Sequence, residues 1–369
     1  MILLLLKNNG SDCYINASLQ CILNNKDFLN FIYANRTLIQ KYQFDANIDT
    51  FPLSKSEVAK GISMIKSLAI LLEKLYNPGY NGNTIDKTGF DPCKITDFDI
   101  ATLQTATIDF NFLKKIILSK FGDGDTMFTG QQDAHEFISK FLSCLCAGFS
   151  HMNMVINDET QRDILDNKYI IEYMKRSKSG KYDKYNIISQ QFGGSTIDYI
   201  ECTLCGYVAE REVMYDILNI TLQIEDNVGV QETIDEHFGF DDMVDNIKLT
   251  CDKCNQKYLP VKTTLPNCVP KTLICTLKRF NDNGTKKKAN VPICEILNFK
   301  VDDNVFKYTL SSCIYHIGST IQSGHYVSLV KKSNQKWYIF DDDTYREYAN
   351  IDQKSINNVD SYILFFELN

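Results

Sequence analysis

A change in hydrophobic pattern near residue 191 is the strongest constraint on the fold of this chain. Before it, apolar residues recur at three- and four-residue spacing, which is typical of amphipathic helices. After it, short segments alternate between apolar and polar residues, as strands do. The predicted helices span 13–33, 55–76, 110–121 and 131–149. The predicted strands span 196–201, 213–224, 272–280, 305–316, 325–331, 337–340 and 361–368. A helical half followed by a β half predicts an α+β fold.

Cys13 lies where a short polar turn opens into a helical pattern. Ile15, Leu19 and Ile22 recur at helical spacing, so a helix begins at or just after Cys13. The helix macrodipole and the unpaired N–H groups at a helix N-terminus favour a thiolate. Cys13 is therefore a candidate nucleophile. Most cysteines are small buried hydrophobes, so this assignment depends on a base supplied from elsewhere in the chain.

A hairpin around residues 325–341 can supply that base. An alternating strand that starts at His325 is followed by a polar loop at 331–335, a second strand and Asp341. If the loop is centred on Ser333, His325 lies opposite Asp341, with Cβ atoms about 4.5–5.5 Å apart. A carboxylate bound to one ring nitrogen would fix the imidazole tautomer and leave the other nitrogen facing a nucleophile. The alternative is a solvated turn followed by a run of acids, and the centre of the loop can shift by one residue.

Two cysteine pairs predict a metal site. Cys202 and Cys205 form one C-x-x-C pair, and Cys251 and Cys254 form another after a gap of 45 residues. Paired thiolates are the usual ligands of a tetrahedral structural Zn²⁺, so we expect one structural zinc ion per chain. The alternatives are two unrelated coincidences or a redox motif, but no βαβ pattern supports a redox motif. A catalytic zinc is disfavoured because four thiolates leave no open position.

Two acids mark the start of the predicted helix 131–149. Thr129 with Gln132 three residues later predicts a capping box. Asp133 and Glu136 then fall on one face, away from the apolar stripe. Their simplest interpretation is as acids that the helix dipole favours. His135 has no partner placed by the sequence and is interpreted as structural.

Composition limits the possible partners and compartments. The net charge is −7 and the pI is about 5.4, which disfavours a nucleic-acid-binding surface. The 13 cysteines without a secretory signal indicate a reducing compartment rather than a disulfide scaffold. No apolar run reaches membrane-spanning length. We expect a cytoplasmic or nuclear protein, monomeric, without nucleic-acid or membrane partners.

Taken together, these motifs resemble the ubiquitin-specific protease family of cysteine deubiquitinases. The Cys13 segment is similar to the Cys box of the family, Q-Q-D-A-H-E-F to its glutamine–aspartate box, and G-H-Y with W-Y-I-F-D-D-D to its His box. L-K-R-F and the final S-Y-I-L-F-F-E-L also match in order. The resemblance implies a papain-like cysteine protease fold with a helical thumb at 1–190, zinc-bearing β fingers at 191–270 and a β palm at 271–369, all in one catalytic domain.

The resemblance also implies roles for individual residues. Cys13 would be the nucleophile, His325 the general base, Asp341 its orienting residue, Asn8 the oxyanion-hole side chain and Asp342 a secondary helper. Substrate contacts are implied for Asp133 and Glu136, which would bind the arginines of the ubiquitin tail, and for Gln132, Phe280 and Tyr326.

One departure bears on activity. Asp12 replaces the small or neutral residue that the family usually has before the nucleophile, and its charge would raise the thiol pKa. The sequence therefore predicts a thiol isopeptidase that acts on ubiquitin or a close relative. Two alternatives stay open: a catalytically weak or inactive ubiquitin-binding module of the same fold, and a zinc-ribbon nucleic-acid binder, which the acidic charge opposes.

Overall fold

The computed structural model describes residues 2–8, 10–44, 55–76, 104–108, 113, 116–117, 132–152, 154, 185–238, 241–243, 248–348 and 359–369. Most of the predicted helix 110–121 lies outside these ranges. Among the described residues, no helix combines the length and the apolar character needed to cross a membrane.

Most of the described helices precede residue 190. They are α1 (Cys13–Ile22), α2 (Lys26–Ala34), α3 (Arg36–Lys41), α4 (Lys55–Tyr76), α5 (Ala134–His151), α6 (Ile187–Phe192) and α7 (Val230–His237). The prediction of one helix over 13–33 was wrong, because Asn25 accepts the backbone N–H of Phe28 and so caps a new helix, α2. The predicted helix 55–76 is confirmed as α4.

Helices α4 and α5 cross at two glycines. A Cβ atom on Gly61 would lie 1.8 Å from the carbonyl oxygen of Cys144. One on Gly148 would lie 2.8 Å from the carbonyl carbon of Gly61. The two backbones therefore approach as closely as only glycine permits. This contact fixes α5, whose first turn carries the predicted acid pair.

The strands follow the helices, apart from a parallel pair formed by the first two. They are β1 (Ile2–Leu6), β2 (Gln104–Ile108), β3 (Gly194–Cys202), β4 (Val208–Tyr215), β5 (Asn219–Leu222), β6 (Asp241–Met243), β7 (Leu249–Thr250), β8 (Lys257–Tyr258), β9 (Pro260–Cys268), β10 (Thr272–Leu277), β11 (Ile296–Val301), β12 (Asn304–Thr320), β13 (Ser323–Lys331), β14 (Trp337–Asp341), β15 (Thr344–Tyr348) and β16 (Ser361–Leu368). The prediction of a single strand over 213–224 was wrong, because the chain leaves the smaller sheet after β4 and enters the larger one at β5.

The larger sheet has the order β15-β14-β13-β12-β16-β10-β5, and β11 pairs with β12. The predicted closing strand is confirmed as β16, which lies between β12 and β10 with its first six residues buried. The smaller sheet has the order β4-β3-β9-β6, and β7 pairs with β8 beside it.

The larger sheet separates two hydrophobic cores. On one face, side chains such as Tyr326, Tyr338 and Ile363 pack with the helices. On the other face, their sequence neighbours Val327, Ile339 and Leu364 belong to a second core with α7 and β11. Helix α1 lies against β13 on the helical face. This packing brings the N-terminus of α1 beside the start of β13, where the predicted nucleophile and base are located.

Candidate active site

Cys13 is the first residue of α1, and its side chain is only 4% exposed. Burial raises the pKa of the Cys13 thiol, the backbone N–H of Tyr326 lowers it, and the carboxylate of Asp342 raises it. The backbone N–H groups of Tyr14 and Cys13 at the start of α1 also lower this pKa, as expected for a helix N-terminus, but desolvation outweighs them. The acid that acts on the thiol is Asp342 rather than Asp12, the residue to which the sequence assigned this effect.

The predicted His–Asp contact is present. Nε2 of His325 lies 2.6 Å from Oδ1 of Asp341. The predicted register was wrong by one position in the loop, because the turn spans 332–336 and Ser328 pairs with Phe340. Continuing this register places Asp341 opposite Val327. His325 therefore reaches the carboxylate diagonally on the same face of the sheet, a contact that long side chains can make.

Asp342 holds two asparagine side chains that approach from the N-terminal segment. Its Oδ2 accepts from Nδ2 of Asn8 at 2.8 Å, and its Oδ1 accepts from Nδ2 of Asn16 at 2.6 Å. Its backbone has a φ of 51°, in the left-handed region that aspartate tolerates, and its carbonyl accepts the N–H of Leu6 at 3.2 Å. Asp342 thus connects the end of β14 to the segment before Cys13.

Hydrogen bonds to both the oxygen and the nitrogen of the side-chain amide fix the orientation of Asn8. Its Oδ1 accepts the backbone N–H groups of Gly10 at 2.9 Å and Asp12 at 3.2 Å, while one Nδ2 proton goes to Asp342. The amide carries two protons on nitrogen, so a second donor is left for an oxygen of a bound substrate. A donor with its orientation fixed in advance is the kind that stabilises an oxyanion.

The candidate nucleophile and the candidate base come from adjoining parts of the fold. The thiol of Cys13 interacts with the backbone N–H of Tyr326, the residue that follows His325. Among the described residues, no hydrogen bond joins the Cys13 sulfur to the His325 ring. Catalytic hydrogen bonds are often long without substrate, so this geometry is compatible with a nucleophile–base pair.

The two acids of α5 differ in their surroundings. Asp133 is the N-cap of α5, where it accepts the N–H of His135 at 2.7 Å and the hydroxyl of Tyr362 at 2.8 and 2.9 Å. Glu136 is more exposed and pairs with Lys140 at 2.7 Å.

The predicted capping box was wrong, since the cap is Asp133; Thr129 lies outside the described residues. Gln132, just before the cap, is half-buried.

Phe280 and Tyr326 belong to an aromatic cluster beside Cys13. The ring of Phe280 makes edge contacts with Tyr362 and with His316, and Tyr326 packs against the same two rings. Phe280 is half-buried, whereas the side chain of Tyr326 is 1% exposed. In this structure Tyr326 therefore reaches the site through its backbone N–H.

The four predicted metal ligands come together at the end of the smaller sheet. The sulfurs of Cys202 and Cys254 are 4.0 Å apart, and those of Cys205 and Cys251 are 3.7 Å apart. A tetrahedral Zn²⁺ with Zn–S bonds of about 2.3 Å would place its sulfurs about 3.8 Å from one another. The four thiols therefore have the spacing that a zinc ion requires.

The local backbone also suits a bound metal. Each C-x-x-C turn is followed by a residue in the left-handed region, Gly206 with φ 67° and Asn255 with φ 56°. The backbone N–H groups of Cys254 and Lys253 lower the pKa of the Cys251 thiol, whereas desolvation and the neighbouring thiols raise that of Cys205 against the backbone of Tyr207. Thiolates are the species that bind zinc, so the donor set and its surroundings fit this ion.

A family model described as ubiquitin carboxyl-terminal hydrolase matches residues 5–366. The chain belongs to this family. The match spans the Cys13 segment, the Asp133 segment and the His325–Asp341 hairpin, so the resemblance inferred from the motifs is confirmed.

Relatives in this family are moderately similar to the chain. Ubiquitin carboxyl-terminal hydrolase 20 of Arabidopsis thaliana is 29% identical over 247 residues, which cover 64% of this chain and 30% of that protein. The human ubiquitin carboxyl-terminal hydrolase 17-like protein 15 is 24% identical over 370 residues, which cover 98% of this chain and 53% of that protein. The chain thus spans about a third to a half of the length of these relatives.

Solved structures show the same fold. The SAGA DUB module with Ubp8 bound to ubiquitin aldehyde gives a TM-score of 0.68 at 18% identity, covering 100% of this chain and 70% of the matched chain. The SAGA DUB module bound to monoubiquitin gives a TM-score of 0.66 at 19% identity, covering 100% of this chain and 69% of the matched chain. The predicted papain-like α+β fold is confirmed.

Sequence reasoning missed two polar residues of this ubiquitin carboxyl-terminal hydrolase site. Asn16 is fully buried three residues after Cys13, where a helix core position would normally be apolar. A buried amide requires a partner, and that signal pointed to a contact such as the one with Asp342. Tyr362 lies in a long apolar run, and nothing in the sequence indicated that its hydroxyl would bind Asp133.

Proposed function

We propose that the chain is a cysteine-type deubiquitinase. It hydrolyses the isopeptide bond at the C-terminal glycine of ubiquitin or of a ubiquitin-like modifier. The observation that carries this proposal is the 2.6 Å contact of His325 with Asp341 beside Cys13 at the start of α1. Membership of the ubiquitin carboxyl-terminal hydrolase family supports it.

Acylation begins with proton transfer from the Cys13 thiol to Nδ1 of His325, the ring nitrogen that Asp341 leaves available. The thiolate attacks the glycine carbonyl, and the new C–S bond leaves an oxyanion. When the oxyanion collapses, the C–N bond breaks and His325 donates its proton to the leaving lysine amine. Water, deprotonated by His325, then attacks the thioester, releases the glycine carboxylate and restores the thiol.

The oxyanion would accept a hydrogen bond from the free Nδ2 proton of Asn8. Asp342 acts through Asn8, since its carboxylate fixes the amide at 2.8 Å. Asp342 is thus a positioning residue. It is already engaged by Asn8 and Asn16, so it is poorly placed to replace Asp341 as the partner of His325. Removing one oxyanion donor typically lowers kcat about 10²–10³-fold.

The tail of the modifier would lie between α5 and the palm. Asp133 and Glu136 supply negative charge at one end of this path, and Phe280 supplies an aromatic surface. Gln132 and the backbone of Tyr326 border the same path. An extended tail held along its length brings its terminal carbonyl to Cys13 in a reactive orientation.

Cys202, Cys205, Cys251 and Cys254 would hold one structural Zn²⁺. With four thiolates as ligands, its contribution would be to stabilise the tip of the smaller sheet. In the family's terms, we assign residues 1–190 to a thumb, 191–270 to fingers that carry this site, and 271–369 to a palm.

The rival function is a weak or inactive ubiquitin-binding module. The raised pKa and deep burial of Cys13 favour it, because a neutral, enclosed thiol is a poor nucleophile. Hydrolysis of a fluorogenic amide at the C-terminus of ubiquitin separates the two functions. The proposal predicts turnover by the purified protein and none by Cys13→Ala. Binding of ubiquitin without turnover by the unaltered protein would support the rival.

A further inference from the structure

A cavity of about 500 Å³ opens on the second face of the larger sheet, beside the His–Asp pair. Its lining includes the aromatic and aliphatic side chains of Tyr315, Ile317 and Ile339. Asp341 and Arg346 supply the charged groups of the wall. The cavity therefore offers both apolar and polar surface, and it lies next to the carboxylate that binds His325.

The strand register places the cavity on the side of His325 opposite the proposed path of the tail. Ile317 pairs with His325 across β12 and β13, and Ile339 pairs with Arg346 across β14 and β15. Alternation along the strands directs Tyr326 to the other face, where it packs with Tyr362 near Asp133. The proposed path of the tail and the cavity therefore lie on opposite faces of the larger sheet, and both are next to His325.

Arg346 gives the cavity a charge preference. It lies at the exposed rim, and within the described part of the chain it makes no hydrogen bond or ion pair. The carboxylate of Asp341 is already engaged by His325. The charged group of the lining that has no such partner is the Arg346 guanidinium, which pairs best with a carboxylate.

We propose that this cavity receives the leaving chain, that is, the protein segment around the modified lysine. The segment that fits has an acidic side chain for Arg346 and an apolar side chain for the pocket. This inference rests on the proposed isopeptidase function. An extended chain advances about 3.3 Å per residue, so residues up to three positions from the lysine lie within about 10 Å of it.

The test uses two peptides, each joined through its lysine to the C-terminus of ubiquitin. One carries Leu and Glu beside the lysine, and the other carries Leu and Lys. We measure the ratio of kcat/KM for the acidic peptide to kcat/KM for the basic one. Because both values come from the same variant, any general loss of catalysis cancels in the ratio.

Arg346→Glu should lower this ratio about tenfold, since the paired charge becomes repulsive. Lys307→Glu is the matched control: it makes the same charge change on β12, far from Ile317 at the other end of that 17-residue strand. Its ratio should stay within about twofold of the unaltered protein. An Arg346→Glu ratio equal to that of the control would overturn the inference.

Two other outcomes contradict it in distinguishable ways. If the protein dimerises and Arg346→Glu abolishes dimerisation, a second copy occupies the cavity, and the inference is wrong while hydrolysis persists. If the fluorogenic ubiquitin amide is not hydrolysed either, the proposed function fails and the inference fails with it.

Discussion

At the residue scale, Asp342 acts in opposite directions on Cys13, the proposed nucleophile, and on Asn8, the proposed oxyanion donor. Its charge helps to raise the pKa of Cys13, which disfavours the thiolate. Its hydrogen bond orients Asn8, which favours the transition state. Any change at this position should therefore separate thiol acidity from turnover, two properties that usually change together.

Asp342→Asn should lower the pKa of Cys13 and also lower kcat. The charge is removed, while the new amide can accept from only one of the two asparagines, so Asn8 or Asn16 loses its partner. We expect kcat to fall about 10²-fold. Alkylation of Cys13 measured against pH gives the thiol pKa. A pKa that rises, or an unchanged kcat, would contradict the assigned role.

The raised pKa of Cys13 also has a consequence for stability. The folded protein holds the thiol proton more tightly than the unfolded chain does, chiefly because the thiol is buried. This contribution to the free energy of unfolding is fully present below the ordinary thiol pKa. It is lost as pH rises through the higher folded value. Cys13→Ala should therefore remove part of the loss of stability at alkaline pH.

At the element scale, the contact of Asp133 with Tyr362 joins the start of α5 to the start of β16. Asp133→Ala would remove both the helix cap and this contact, so it would reduce stability as well as tail binding. Tyr362→Phe is the sharper variant, because Asp133 keeps its charge and its bond to His135.

Tyr362→Phe should lower the free energy of unfolding by about 1.5–3 kcal/mol, the range for a hydrogen bond to a charged group. It should also reduce kcat/KM, since Asp133 loses its fixed orientation toward the tail. The control is Tyr338→Phe, which removes a hydroxyl that accepts a hydrogen bond from Asn334 in the hairpin turn. Denaturant unfolding and steady-state kinetics on both variants give the comparison. Equal effects on kcat/KM would argue against a positioning role.

The four cysteines at the end of the smaller sheet give a prediction about metal content. Native protein should contain about one zinc ion per chain, and a chelator should lower Tm without changing the chemistry at Cys13. Cys202→Ser should lose the ion. Cys294→Ser, which alters a cysteine outside the cluster, should keep it. Metal analysis of the purified proteins decides the matter, and native protein free of zinc would rule out the site.

Elements with a strong local pattern could be predicted from the sequence. The helix 55–76 and the strand 361–368 were placed correctly because a helical apolar period marks the first and a buried apolar run marks the second. The predicted helix 13–33 was wrong because a hydrogen bond to the side chain of Asn25 starts a new helix. The predicted strand 213–224 was wrong because the chain changes sheet at 216–218. Apolar periodicity alone does not detect such breaks.

At the scale of the whole molecule, the site depends on contacts between distant parts of the chain. Motif order and hairpin pattern predicted that His325 and Asp341 meet. The attachment of Asn8 and Asn16 to Asp342 could not be predicted, because it depends on how α1 packs on the larger sheet. Burial as the main cause of the raised pKa of Cys13 was missed for the same reason, since burial is a property of the assembled fold.

The central claim is that Cys13 is the nucleophile that attacks the C-terminus of ubiquitin. The most direct measurement uses ubiquitin carrying an electrophile in place of its terminal glycine, followed by mass analysis of the adduct. We expect one ubiquitin per chain, attached at Cys13, and no adduct with Cys13→Ala. An unmodified Cys13, or an adduct at another of the 13 cysteines, would contradict it.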